Sequence, residues 1–113
     1  MSTYVMLTRL TPAAATSPRD VRRLSKAVAE KIREECPGVR WLANYALLGP
    51  YDYLDLYEAP DENAAAKVAA IVRFVGRAQT ETWTAFEWER YKALWSGAPR
   101  PVRVQRRRKG ASV

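Results

Sequence analysis

The sequence contains no histidine and a single cysteine, Cys36, among its 113 residues. Without histidine it lacks the commonest metal ligand and the side chain best suited to general-base work near neutral pH. One thiol excludes an internal disulfide and any thiolate zinc cluster. No metal and no cofactor are therefore expected. No run of about 18 apolar residues occurs, so no membrane span is expected. The opening MSTYVMLTRL has no basic segment followed by an apolar one, which argues against a signal peptide and for a cytoplasmic protein. Acids are missing altogether beyond Glu89.

What is present makes one globular domain. The chain is 48% hydrophobic, and four Trp and six Tyr supply large side chains to bury. The net charge of +7 is unevenly spread. Residues 1–95 hold thirteen Lys and Arg against twelve Asp and Glu, a balance of +1. The remaining charge comes from Arg100, Arg103, Arg106, Arg107, Arg108 and Lys109. Residues 96–113 combine Pro, Gly and Arg with almost nothing to bury, so they are read as a basic, disordered tail.

The middle of the chain organises the rest. In Leu48–Asp61, LGPYDYLDLYEAPD, the pair Gly49-Pro50 marks a turn and Asp52 can bond back to turn amides. Tyr53 to Tyr57 alternates with the period of a half-buried strand. Asp61 then caps a helix in which Ala65, Val68, Ala69, Val72 and Val75 form the apolar stripe and Gly76 follows the last turn. Upstream, Thr3–Leu10 reads as a strand. Ser17-Pro18-Arg19-Asp20 is a helix start, with Val21, Leu24, Val28 and Ile32 at spacings of three and four. Cys36-Pro37-Gly38 ends that helix, and Val39–Leu48 is the next strand. Gln79–Ala85 is a Thr-rich strand, and Trp88, Tyr91, Leu94 and Trp95 follow at helical spacing.

A hairpin loop of two or four residues sets Leu47 opposite Leu54 and Tyr45 opposite Leu56. It likewise sets Ala46 opposite Asp55 and Asn44 opposite Tyr57. The first set, with Trp41, is expected to lie under the helices, and Trp41, Tyr45 and Phe74 are expected in the core. The order β-α-β-β-α-β predicts an α+β, ferredoxin-like fold: a four-stranded antiparallel sheet with the first and third strands central, two helices on one face and a short C-terminal helix. The other face is expected to carry Tyr4, Met6, Leu42, Leu48, Tyr53 and Tyr57. It is apolar enough to pair with a second copy.

Several of these residues resemble those of GYD domain proteins, small bacterial members of the dimeric α+β barrel group. They are Leu48-Gly49-Pro50-Tyr51-Asp52, Glu58-Ala59-Pro60-Asp61, and Thr80-Glu81-Thr82 with Ala85-Phe86. Tyr4-Val5-Met6-Leu7-Thr8 and Ser17-Pro18 fit the same pattern, and the likeness covers roughly residues 3–95. The resemblance implies a ferredoxin-like domain over 1–95 that pairs into a dimeric α+β barrel. GYD proteins generally lack an assigned activity. The wider group includes cofactor-independent monooxygenases, isomerases and polyketide cyclases, stress-related proteins and amino-acid-sensing domains, and fold does not choose among them. This chain departs from the family in having Pro12-Ala13-Ala14-Ala15 after the first strand, where a glycine is frequent. It also has Asp55, in a central strand on the side expected to face the barrel, where relatives tend to carry a small or apolar residue.

Asp55 is the leading candidate for chemistry, because a carboxylate in an apolar cavity acquires a raised pKa and can act as a general base. Tyr53, Tyr57 and Asn44 around it could orient a phenolic or enolic substrate. The competing reading of Asp55 is a structural hydrogen bond to a tyrosine or arginine that holds register. Tyr51 and Asp52 could hold a ligand or lock their turn, and Arg9 could meet an anionic ligand or Glu58. Cys36 has no partner that would activate it. Arg106-Arg107-Arg108-Lys109 could bind nucleic acid or another anionic surface by counterion release. The leading reading is a homodimeric, small-molecule-binding barrel in a regulatory or accessory metabolic role. The alternatives are a cofactor-independent monooxygenase, cyclase or isomerase, and a nucleic-acid-associated protein acting through the tail.

Overall fold

A computed structural model describes residues 1–14 and 16–96. The elements in chain order are β1 (Ser2–Leu10), α1 (Pro18–Glu35), β2 (Arg40–Ala46), β3 (Tyr53–Ala59), α2 (Glu62–Phe74), β4 (Ala78–Ala85) and α3 (Trp88–Ser96). The strands form one antiparallel sheet in the order β2-β3-β1-β4, so β1 and β3 are central, as the βαββαβ pattern predicts. The basic cluster Arg106-Arg107-Arg108-Lys109 lies outside the described residues.

The helix starts follow their sequence signals. Ser17 caps α1, its Oγ accepting from Asp20 N at 3.1 Å, with Pro18 in the first turn. Asp61 caps α2, its Oδ1 accepting from Ala64 N at 3.0 Å. Gly76 follows the C-cap Val75, but the left-handed residue is Arg77, at φ 56°. Gly76 is required for space instead. A Cβ there would come within 2.7 Å of the Val72 carbonyl oxygen and 2.8 Å of Val28 Cγ2, where the end of α2 passes α1.

The sheet turns the opposite face to its helices from the one expected. Tyr4, Met6, Tyr57 and Ala59 are buried with Ile32 of α1 and with Ala65, Val68, Ile71 and Val72 of α2. Val5, Leu7, Leu54 and Leu56 point to the uncovered face, where Tyr45 and Trp83 stand opposite Leu54 and Val5. Alternation separates two faces but cannot say which one helices cover, since both are apolar. Volume decides it: α2 offers Ala65, Val68 and Val72, and these small side chains leave room for two tyrosine rings and a methionine.

The hairpin register also differs by two residues: Asn44 pairs with Asp55, Tyr45 with Leu54 and Ala46 with Tyr53. The connection runs from Leu47 to Asp52, closed by Leu47 N donating to Asp52 O at 2.9 Å. Its even length preserves the division of faces. A bulge between Trp41 and Ala43 then flips Trp41, which stands opposite Tyr57 on the helix side. Three residues expected in the core are exposed: Trp41 (40%), Tyr45 (62%) and Phe74 (81%). Tyr45 belongs to the uncovered face and Phe74 to the outer side of α2, while Ile71 takes a buried place that the stripe reading omits.

Candidate ligand-binding cleft

The apolar stripe of α1 does not close fully on the sheet. Of its predicted members only Ile32 is buried; Val21, Leu24 and Val28 are half-buried and form one wall of a cleft of about 640 Å³. The sheet supplies the facing wall with Met6 and Thr8 from β1, Trp41 and Asn44 from β2, and Tyr53 and Asp55 from β3. Gly76 and Ala78 form part of its lining because neither carries a large side chain. The volume lies within the usual range for small-molecule sites, and the lining is mostly hydrophobic with a few polar groups, as such sites commonly are.

Asp55 is the only acid among the described residues that line the cleft. Its Oδ1 accepts a hydrogen bond from Asn44 Nδ2 at 2.6 Å, straight across the β2–β3 ladder. Burial pushes the Asp55 carboxyl above the usual carboxylate range, and the Asn44 amide opposes that shift without abolishing it. Its partner is thus a neutral amide, where the structural reading of the sequence offers a tyrosine or an arginine.

The other predicted site residues fall into three places. Asn44 and Tyr53 join Asp55 in the cleft, on the helix side of the sheet rather than on the barrel-facing side expected for Asp55 and Tyr53. Tyr57 lies beneath it, fully buried, its ring centroid 5.6 Å from that of Tyr4 and 5.2 Å from that of Trp41. Its hydroxyl has no hydrogen-bond partner among the described residues, and burial raises its pKa far above the ordinary tyrosine value. Asp52 closes the end of the sheet: its Oδ2 accepts from Leu10 N at 2.7 Å and its own N–H donates to Thr8 O at 2.8 Å. The Asp52 side chain and N–H are therefore both committed to β1, while its carbonyl closes the hairpin.

Tyr51 and Arg9 lie on the uncovered face, away from Asp55. Tyr51 Oη donates to Glu81 Oε2 at 2.5 Å, spanning from the hairpin connection before β3 to β4, on the face where Leu7 stands between Leu54 and Glu81 in the sheet. The bond to Glu81 raises the Tyr51 pKa. The Arg9 guanidinium lies 4.8 Å from the Tyr51 ring centroid, and its Nε donates to Pro50 O at 2.9 Å. Glu58, the alternative partner for Arg9, pairs with Arg40 at 3.5 Å. Cys36 is buried at the α1 end of the cleft, and burial raises its thiol pKa, which disfavours a reactive thiolate.

Sequence reasoning misses Trp41, Met6, Thr8 and the α1 stripe as cleft residues. Strand alternation puts Trp41 on the other face, because a bulge has no dependable sequence mark. The α1 stripe reads as core, and a helix that packs closely and one that stands off a sheet share one periodicity.

The GYD domain family matches residues 4–94, nearly the whole of the described chain. The chain belongs to the GYD domain family. A Thermus thermophilus protein named "Glutamine synthetase and cystathionine beta-lyase binding protein" is 35% identical over 85 residues, covering 74% of this chain and 85% of that protein. The crystal structure of TTHA0845 from Thermus thermophilus is similar at 29% identity and a TM-score of 0.51, over 77% of this chain and 95% of that one. The leucine response regulatory protein LrpA of Mycobacterium tuberculosis shares the fold at 13% identity and a TM-score of 0.52. That match covers 76% of this chain and 51% of the regulator, so the GYD chain spans about half the regulator's length. No helix among the described residues is long and apolar enough to cross a membrane, and no cluster of three or more His, Cys, Asp or Glu among them is placed to hold a metal ion.

Proposed function

We propose that this GYD domain protein is a homodimeric binding protein that takes a small organic molecule in the cleft between α1 and the sheet and serves a regulatory or accessory role in cytoplasmic metabolism. The observation that carries the reading is the cleft itself, mostly apolar on both walls with one half-buried carboxylate among them. The dimer is drawn from the uncovered sheet face. Val5, Leu54 and Leu56, half-buried, form its centre, with exposed Tyr45 and Trp83 beside them, and such a surface is stabilised by a self-complementary copy. The Thermus relative is named for binding two enzymes. By analogy, an enzyme is the partner proposed for the dimer, with the cleft occupant as its regulator.

The test is a fragment screen by amide and methyl NMR on the 113-residue protein. The reading expects ligands whose shifts centre on Val28, Met6 and Trp41. A screen whose hits perturb only surface residues, or that yields no hits, removes the cleft as a binding site.

One observation favours a second, enzymatic reading. The Asp55 carboxyl is raised by burial and only Oδ1 is engaged, by Asn44, among the described residues, so Oδ2 remains available to take a proton from a phenol or enol in the cleft. Turnover of such a substrate that disappears in Asp55→Asn, with binding retained, would establish it.

A further inference from the structure

We propose that the cleft selects a small apolar amine, bound as its ammonium ion by the Asp55 carboxylate. This rests on the reading of the cleft as a small-molecule site and assigns the chemical class of its occupant.

Three observations lead there. Asp55 is the only acid lining the cleft among the described residues, and its one hydrogen-bond partner among them is a neutral amide. Arg33 on α1 also borders the cleft, but forms neither an ion pair nor a hydrogen bond with Asp55. The carboxylate thus stands in a mostly apolar cleft with no cation paired to it, an arrangement that is relieved by a cationic ligand. Asn44 uses one oxygen and fixes the carboxylate plane, leaving Oδ2 to receive an N–H donor from the ligand.

The rest of the cleft suits the remainder of such a molecule. Trp41 is brought to the same wall by the bulge, and an indole ring lining the cleft can attract an ammonium group. Met6, Leu24 and Val28 surround the space an alkyl or cycloalkyl body would fill. Met6 is unbranched and adapts to the shape of that body. The expected class is therefore a primary amine on a hydrocarbon frame of some six to ten heavy atoms, which a cleft of about 640 Å³ accommodates.

The experiment compares three probes on one cyclohexyl frame: cyclohexylmethylamine, cyclohexylmethanol and cyclohexanecarboxylate. Each is titrated into the full-length protein at neutral pH and followed by NMR shifts of the cleft residues. The amine should bind about tenfold more tightly than the alcohol, as expected for one charge-assisted contact, and the carboxylate should bind more weakly than either. Asp55→Asn should abolish the amine's advantage and weaken the alcohol far less than the amine, because only the amine loses a charge-assisted contact. The wild-type comparison needs no variant, so it stands even if Asp55→Asn folds poorly. An alcohol or carboxylate that binds as tightly as the amine overturns the amine class while leaving the cleft a ligand site. No cleft shift with any of the three overturns both.

Discussion

Asn44 and Asp55 face each other across neighbouring strands, with the amide nitrogen 2.6 Å from the carboxylate oxygen. Because the partner is neutral, Asp55→Asn leaves no stranded charge. The carbonyl of the new side chain can still accept the Asn44 hydrogen bond. Burial raises the Asp55 pKa from 3.8 in the folded state, so the folded form holds this proton more tightly than the unfolded chain. Between the unfolded and folded pKa values the native state binds more protons, and stability falls as pH rises through that window. Asp55→Asn should therefore match or exceed the wild type in urea midpoint at neutral pH. The difference should narrow as pH is lowered toward about 4, where the unfolded-state carboxylate also takes up its proton. A loss of about 3 kcal/mol or more at neutral pH would instead mark Asp55 as one half of a buried ion pair.

Tyr57 presents the opposite case, a polar atom with nothing to bind. Its ring packs against Tyr4 and Trp41 while the hydroxyl is buried without a partner among the described residues. Tyr57→Phe keeps both ring contacts and removes a desolvated group, so stability should hold or rise by about 1 kcal/mol. Tyr57→Ala empties the centre of the core and should cost roughly 3–5 kcal/mol. Thermal and urea melts of the two variants separate the ring's contribution from the hydroxyl's.

Asp52 ties the hairpin to the end of β1 through Leu10 N. A hydrogen bond to a charged acceptor contributes about 1.5–3 kcal/mol, so Asp52→Ala should lose stability in that range. Asp52→Asn retains an acceptor and should lose less. Hydrogen exchange at the Leu10 amide reports the bond directly and should accelerate most in the alanine variant. Equal losses in Asn and Ala would show that the charge, rather than the acceptor, holds the turn.

The dimer prediction concerns residues of the uncovered face. Trp83 is 54% exposed and Tyr45 is 62% exposed in the isolated chain, so glutamate at either position should leave the monomer fold intact. In a sheet-to-sheet dimer the same glutamate would be buried without a partner, at a cost of several kcal/mol. Sedimentation equilibrium should give twice 12.8 kDa for the wild type and 12.8 kDa for Trp83→Glu combined with Tyr45→Glu. Tyr53→Glu, which alters the cleft rather than this face, should remain dimeric. A wild-type monomer at micromolar concentration would remove the dimer from the proposed function.

Much of the scaffold was legible in local chemistry. Ser17, Pro18 and Asp61 placed two helix starts because capping depends on residues a few positions apart. Strand alternation separated Asp55 and Tyr57 from Leu54 and Leu56 for the same reason, and the βαββαβ order set β1 and β3 in the centre. Asp55 was recognisable as an acid in an apolar strand, and Asp52 as a turn residue.

What the chain decided only on folding were quantities that no short window contains. Which face meets the helices depends on the fit of Tyr4, Met6 and Tyr57 to the small side chains of α2, a matter of volume across three elements. The bulge that turns Trp41 toward Tyr57 arises from the match between two strands, so neither strand encodes it alone. Arg9 and Tyr51 met each other and Pro50, while Glu58 met Arg40, because sheet register fixes neighbours that sequence separates by many residues. The cleft itself is a distance between α1 and the sheet. Periodicity specifies which side of a helix is apolar, and only tertiary packing specifies how close that side comes to its neighbour.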